Sequence, residues 1–101
     1  MPATYAVHNR SLTVSLSGEL DHHRARGLID DLDQELDELL PREVLVDCAH
    51  LSFMDSSGIA VLLHLLRRMQ ALDGRLAVTA LPEQPARVLR AAGLDRLIPI
   101  E

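Results

Sequence analysis

The apolar residues of this chain switch period along its length, and that switch limits what the chain can fold into. In residues 11–17 (SLTVSLS) Leu12, Val14 and Leu16 alternate with Thr13, Ser15 and Ser17. Period two marks a strand covered on one face. In residues 22–40 the period lengthens. Ala25, Leu28, Ile29, Leu32, Leu36, Leu39 and Leu40 fall on one helical face, and Asp30, Asp31, Asp33, Glu35, Asp37 and Glu38 take the rest. Asp21 is placed to cap this helix and Pro41 to end it. Residues 44–48 (VLVDC) form a near-continuous apolar run, which suits a central parallel strand buried on both faces.

The remaining segments extend this alternation. Residues 4–8 give a weaker strand signal, and Asn9-Arg10 suggests a tight hairpin into residues 11–17. Residues 56–73 predict a second helix, with Gly74 at the left-handed position beyond its end. Residues 75–80 read as a strand, and 84–92 as a third helix with Pro85 in its first turn. Gly93-Leu94 reads as a glycine C-cap with its hydrophobic contact, and Leu97–Ile100 as a last short strand. The order is β-β-α-β-α-β-α-β. Strands joined through helices run parallel with right-handed crossovers. The expected fold class is therefore α/β: a small mixed sheet, mostly parallel with an antiparallel N-terminal strand, packed by helices.

Composition narrows the function. The chain has 101 residues, 48% of them apolar and 25% charged, which suits one globular domain. Its net charge is −5, and there is no basic stripe for a phosphate backbone. Tyr5 and Phe53 are the only aromatic residues, so stacking platforms for bases are lacking and no nucleic-acid partner is expected. The single cysteine, Cys48, cannot form an internal bridge; it reads as a small core residue in a cytoplasmic protein. No apolar run reaches the roughly 18–20 residues of a membrane span, and the N-terminus lacks a signal-like stretch. No cofactor or metal is expected.

Parallel strands place their C-terminal ends on one sheet edge, where ligand and partner sites collect. The segments leaving that edge are Gly18–His23 and His50–Gly58. The second contains Asp55-Ser56-Ser57-Gly58 at the start of a strongly apolar helix. A serine there can be a plain cap. It can also accept a phosphate, which would meet unpaired N–H groups and add about −1.5 to −2 charges beside Asp55. Either Asp55 or Ser56 can be the cap. Along this helix Ile59, Leu62, Leu63, Leu66 and Met69 form a core stripe, with Val61, Leu65 and Leu72 on one flank. So wide an apolar arc fits either a neighbouring helix or a partner surface.

Other polar groups have plainer readings. His22 and His23 are adjacent and diverge on a helix, so they read as solvated first-turn residues rather than metal ligands. Arg67-Arg68 and the acidic residues 30–38 read as solvated surface. A serine hydrolase would need a Gly-x-Ser-x-Gly elbow, but Met54 precedes Ser56 by two and Asp55 precedes Ser57 by two.

The segment LSFMDSSGIAVLL at 51–63 resembles the signature of STAS domains, in particular bacterial anti-sigma factor antagonists. Gly18-Glu19-Leu20-Asp21-His22-His23 resembles the loop before that family's first helix, and Ala92-Gly93-Leu94 with Leu97 its turn near the end. The resemblance spans nearly the whole chain and implies a single STAS domain over residues 1–101. It implies no enzyme but a phosphoprotein regulating transcription. Ser56 would be the phosphorylation site, and Asp21, Asp55, Ser56, Ser57, Gly58 and Val61 the partner-binding residues. The unphosphorylated form would bind an anti-sigma factor of the GHKL serine-kinase type and so release the sigma factor. Phosphorylation would block binding, and a PP2C-type phosphatase would reset the switch. A STAS scaffold in a stress-signalling complex, or a subunit of a lipid-transport ABC system, is the alternative within the family. Such antagonists commonly carry one more helix after the last strand; this sequence stops at Glu101, where that helix would start.

Overall fold

The computed structural model describes residues 3–101. The elements are β1 (Ala3–His8), β2 (Ser11–Leu20), α1 (His22–Leu39), β3 (Glu43–Met54), α2 (Ser56–Ala71), β4 (Arg75–Thr79) and α3 (Glu83–Ala91), then a 3-10 turn (Leu94–Arg96). The sheet order is β1-β2-β3-β4; β1 is antiparallel to β2, and the other pairs are parallel. The mixed α/β sheet expected from the sequence is present. Asn9 and Arg10 take positive φ angles of 50° and 68°, the turn geometry that matches strand twist in a two-residue hairpin.

One face of the sheet carries the core. Val14, Val46 and Val78 are register partners across three strands and are all buried. Their neighbours on the other face, Thr13 and Leu45, are only half-buried. The run at 44–48 is thus not buried on both faces: its sealed side is Val44, Val46 and Cys48, and Leu45 and Asp47 point away. Cys48 is fully buried, and burial, followed by the Asp47 carboxylate, pushes its thiol up to about 12.

Helix α1 buries Ala25, Leu28, Leu32 and Leu36. Each buried leucine contributes about 1.5–3 kcal/mol relative to an exposed one. Leu40 departs from the expected stripe. It adopts a left-handed conformation (φ 49°) after the last turn, where its N–H closes on the Leu36 carbonyl, and it is 48% exposed. Pro41 next to it bars any continuation.

Helix α2 packs on β3, β4 and α1. Val61, Leu62, Leu65 and Met69 are buried, while Ile59, Leu63 and Leu66 are half-buried. The stripe is therefore rotated from the expected one. Its wide apolar arc is filled because the helix is enclosed by sheet and helices together. At its end the left-handed residue is Asp73 (φ 55°) and not Gly74. The Gly74 N–H reaches back to the Met69 carbonyl at 2.8 Å. Glycine is required at 74 for close approach, since a Cβ would stand 2.9 Å from the Arg42 carbonyl oxygen.

The expected last strand is reduced to one parallel bridge between Val78 and Ile100. Leu94–Arg96 coil into a 3-10 turn first, and Pro99 lacks the N–H that a ladder needs. Glu101 N–H still donates to the Val78 carbonyl at 2.7 Å.

The seam between α1 and α2 is ionic at its surface. Asp33 Oδ1 meets His64 Nε2 at 2.6 Å and Arg68 Nη1 at 2.7 Å, and Arg68 Nη2 meets Asp37 at 2.6 Å. Arg68 and the Asp33–Asp37 face are thus a bridge between helices rather than free surface. Burial pushes the Asp33 carboxyl up, but hydrogen bonds and charge from His64 and Arg68 outweigh it and hold the group below its ordinary value. A carboxylate so depressed stabilises the fold at pH values above the unfolded value of about 3.9, and that contribution disappears as pH falls through the folded value. Asp33→Asn is expected to lower the urea midpoint at neutral pH, with the gap to wild type closing in acid. Equal midpoints at neutral pH would show the bridge to be inert.

Candidate functional site

The two central strands continue past the point where their alternation stops. Strand β3 carries extra residues opposite β2, with register shifts between Ser15 and Ser17 and between Gly18 and Glu19. At the first of these the Asp47 carboxylate accepts the Ala49 N–H at 3.0 Å. Bulges of this kind break period two, which is why the sequence reads these stretches as loops. Beyond them the strands run on to Leu20 and Met54, which are register partners.

Each strand then hands over to a helix at a single aspartate. Asp21 Oδ1 accepts from the His23 and Arg24 N–H groups at 3.1 and 3.2 Å. Asp55 Oδ1 accepts from Ser57 N–H at 2.8 Å, and its carbonyl accepts from Gly58 N–H at 3.0 Å. Both caps have extended backbones, with φ of −115° and −111°. The corners are joined, because Asp55 N–H donates to the Leu20 carbonyl at 3.3 Å. Met54 is held from the other side, where the Gln84 side chain accepts its N–H and donates to its carbonyl, both at 2.9 Å.

This geometry settles the cap: it is Asp55. Ser56 is the first residue of α2 and is exposed, and its hydroxyl takes no part in the capping. It also changes the expected anion chemistry. The Ser57 and Gly58 N–H groups are already satisfied by Asp55, so a phosphate on Ser56 would not fill an empty cradle of donors. It would set new negative charge against a fixed carboxylate.

The other expected site residues separate into surface and core. Asp21 and Asp55 are half-buried at the shared edge. Ser57 is half-buried and lines a groove of about 410 Å³ between α1 and α2, with His22, Arg26, Ile29 and Ala60 among its walls. Gly58 is buried, and a Cβ on it would collide with the Met54 side chain and crowd Leu20. Val61 is 1% exposed, so it belongs to the core and offers no partner contact; Leu65 on the same flank is buried with it, and Leu72 at the helix end is half-buried. The rings of His22 and His23 are 4.0 Å apart and tilted by 36°. Among the described residues, no group of three metal-ligating side chains converges.

Two features escaped the sequence reading. Phe53 is 39% exposed in the register position beside Glu19, three residues before Ser56. Gln84 clamps the backbone from a distant helix, and no local pattern announces such a contact. Among the described residues, no helix is long and apolar enough to cross a membrane.

A mixed sheet whose two central strands turn at aspartates into paired helices defines a small α/β domain with one distinctive edge. The chain belongs to the STAS domain family, whose model matches residues 3–101. It is 32% identical over 93 residues to an anti-sigma F factor antagonist of Paenibacillus polymyxa, covering 92% of this chain and 80% of that one. Its fold is similar to the anti-sigma factor antagonist SpoIIAA in its unphosphorylated form (TM-score 0.86, 24% identity, 98% of this chain and 87% of the other). It is similar also to the Bacillus cell fate determinant SpoIIAA in the phosphorylated form (TM-score 0.76, 24% identity, 98% and 90%).

Asp55→Ala is expected to cost about 0.5–2 kcal/mol in urea denaturation through loss of the cap. Ser56→Ala should stay within about 0.5 kcal/mol of wild type, as for other surface changes. The reverse ranking would assign the cap to Ser56.

Proposed function

We propose that this chain is an anti-sigma factor antagonist switched by phosphate at Ser56. The observation that carries the reading is the division of labour at the α2 corner. Asp55 satisfies the helix end, which leaves the neighbouring Ser56 hydroxyl exposed and structurally spare. Its oxygen can attack the γ-phosphorus of ATP held by a kinase. The bond to ADP breaks, and the hydroxyl proton passes to a base on the kinase. The product adds about −1.5 to −2 charges beside Asp55 and close to Asp21.

The partner would be an anti-sigma factor of the GHKL serine-kinase type, with a PP2C-type phosphatase to remove the phosphate. The unphosphorylated edge would dock on the anti-sigma factor and free its sigma factor. A docked partner would touch Asp21, Asp55, Ser56 and Ser57, while Gly58 acts from beneath by allowing α2 to start against Met54. The charge gained on phosphorylation would oppose docking without disturbing the fold. The relative's description as an anti-sigma F factor antagonist supports this reading, as does the existence of a structural neighbour in a phosphorylated form. The protein itself would be a regulator and not an enzyme.

Incubation with the cognate kinase and labelled ATP tests the site. Label should enter wild type and be absent from Ser56→Ala, with the melting temperature unchanged. Ser56→Asp should lose capture of the kinase in a pull-down while remaining folded. Label that persists in Ser56→Ala, or undiminished capture by Ser56→Asp, would overturn the assignment.

A further inference from the structure

The two outer strands of the sheet are finished differently. Outside β4 the last residues of the chain close the edge. Val78 bridges Ile100, its N–H donates to the Pro99 carbonyl at 2.9 Å, and its carbonyl accepts from Glu101 N–H at 2.7 Å. Outside β1, among the described residues, no strand pairs. Open edges invite pairing, and folds blunt them with charged side chains, prolines, bulges or a covering segment. The six residues of β1, ATYAVH, include no lysine, arginine, carboxylate or proline. They pair with β2 without a bulge from Ala3 to His8.

The hairpin fixes which groups of this edge are free. In a two-residue turn the flanking residues, here His8 and Ser11, form a hydrogen-bonded pair, and such pairs alternate along the strands. His8, Ala6 and Thr4 therefore direct their amides to β2, and Ala3, Tyr5 and Val7 turn theirs outward. The side chains of these three share the face that α1 covers, since their register partners Leu16, Val14 and Leu12 are core residues. Val7 is 56% exposed there.

Beside this edge stands the acidic face of α1. Residues 30–38 contain Asp30, Asp31, Asp33, Glu35, Asp37 and Glu38 and no basic residue. Arg68 takes Asp33 and Asp37 at the α2 seam. Among the described residues, Asp31 and Glu35 form no ion pair. They lie on the β1 side, close enough to act on Tyr5. Burial, followed by the Asp31 and Glu35 charges, pushes the Tyr5 hydroxyl above its ordinary value. That oxygen is buried and has no hydrogen-bond partner among the described residues. A row of free amides, the apolar surface of Tyr5 and Val7 and two unpaired carboxylates thus run along one line.

We propose that β1 accepts an extended basic segment of a partner protein as a fifth strand of the sheet. The segment's main chain bonds the outward groups of Ala3, Tyr5 and Val7, and every second side chain faces α1. An arginine or lysine there meets Asp31 and Glu35, and an apolar residue meets Val7. A second copy of this chain is the wrong occupant, because pairing edge to edge about Tyr5 would set two acidic α1 faces side by side. The edge is separate from the Ser56 corner, since β1 borders β2 alone and Ser56 follows β3.

The probe is the peptide acetyl-Thr-Arg-Thr-Val-Thr-Arg-Thr-amide, titrated into the full chain with amide shifts and hydrogen exchange as readouts. Saturable shifts should centre on β1 and spare Asp55 and Ser56. New exchange protection should appear at the Ala3, Tyr5 and Val7 amides, with none added at Thr4, Ala6 and His8. A peptide with glutamate in place of both arginines should not bind. Asp31→Asn with Glu35→Gln should weaken binding by about tenfold, as the loss of two exposed ion pairs allows. Val7→Pro, which removes an outward N–H and no bond to β2, should abolish binding with the other strands' amide shifts unchanged. Shifts that do not saturate or that centre on Ser56, equal binding of the glutamate peptide, or unchanged affinity in the Asp31 and Glu35 double variant would overturn the proposal. So would a dimer of the free protein protected at the same three amides, which would give the edge to a second copy.

Discussion

The arrangement of this molecule depends on one constraint: the parallel pairing of β2 with β3 up to Leu20 and Met54. Because the strands end together, the helices that follow begin together. Their amide ends, which would repel each other as two positive poles, are each closed by an aspartate. The Asp55 N–H to Leu20 bond and the Gln84 clamp on Met54 then fix the height at which α2 starts. Everything at this edge of the sheet inherits its position from that pairing.

The same constraint explains why α1 and α2 share a seam. Two helices that start side by side and run back over the same sheet face must meet along their length. Asp33 and Asp37 on one, His64 and Arg68 on the other, fill the surface of that meeting line. A bridge that is a third exposed contributes modestly by itself. Its larger effect is on register, since it favours one longitudinal alignment of the helices and so keeps the two corners level.

Much of this was legible in the sequence because most segments follow one period. The hairpin at Asn9-Arg10, the cap at Asp21 and the helices themselves follow from local chemistry. The errors have particular causes. Alternation alone ends the strands at Ser17 and Cys48 because bulges interrupt it there. A helical wheel leaves Val61 on an open flank because it does not say which neighbours enclose it. The α1 stripe takes in Leu40 because its position is sound until Pro41 turns the chain. Gly74 reads as a left-handed turn residue, whereas its lack of a side chain serves close packing on Arg42. The choice between Asp55 and Ser56 as cap required three-dimensional geometry, since both residue types suit the role.

Cys48 has a practical consequence. Its thiol is sealed in the sheet and, with the proton held up to about 12, it is not a nucleophile at ordinary pH. The native chain therefore behaves toward alkylating reagents as though it had no cysteine. A thiol engineered onto the exposed Glu19, beside the corner at Asp21, would be the one point of attachment for a fluorophore or spin probe, and it could test the docking proposed for that corner from a fixed position without altering Ser56 itself.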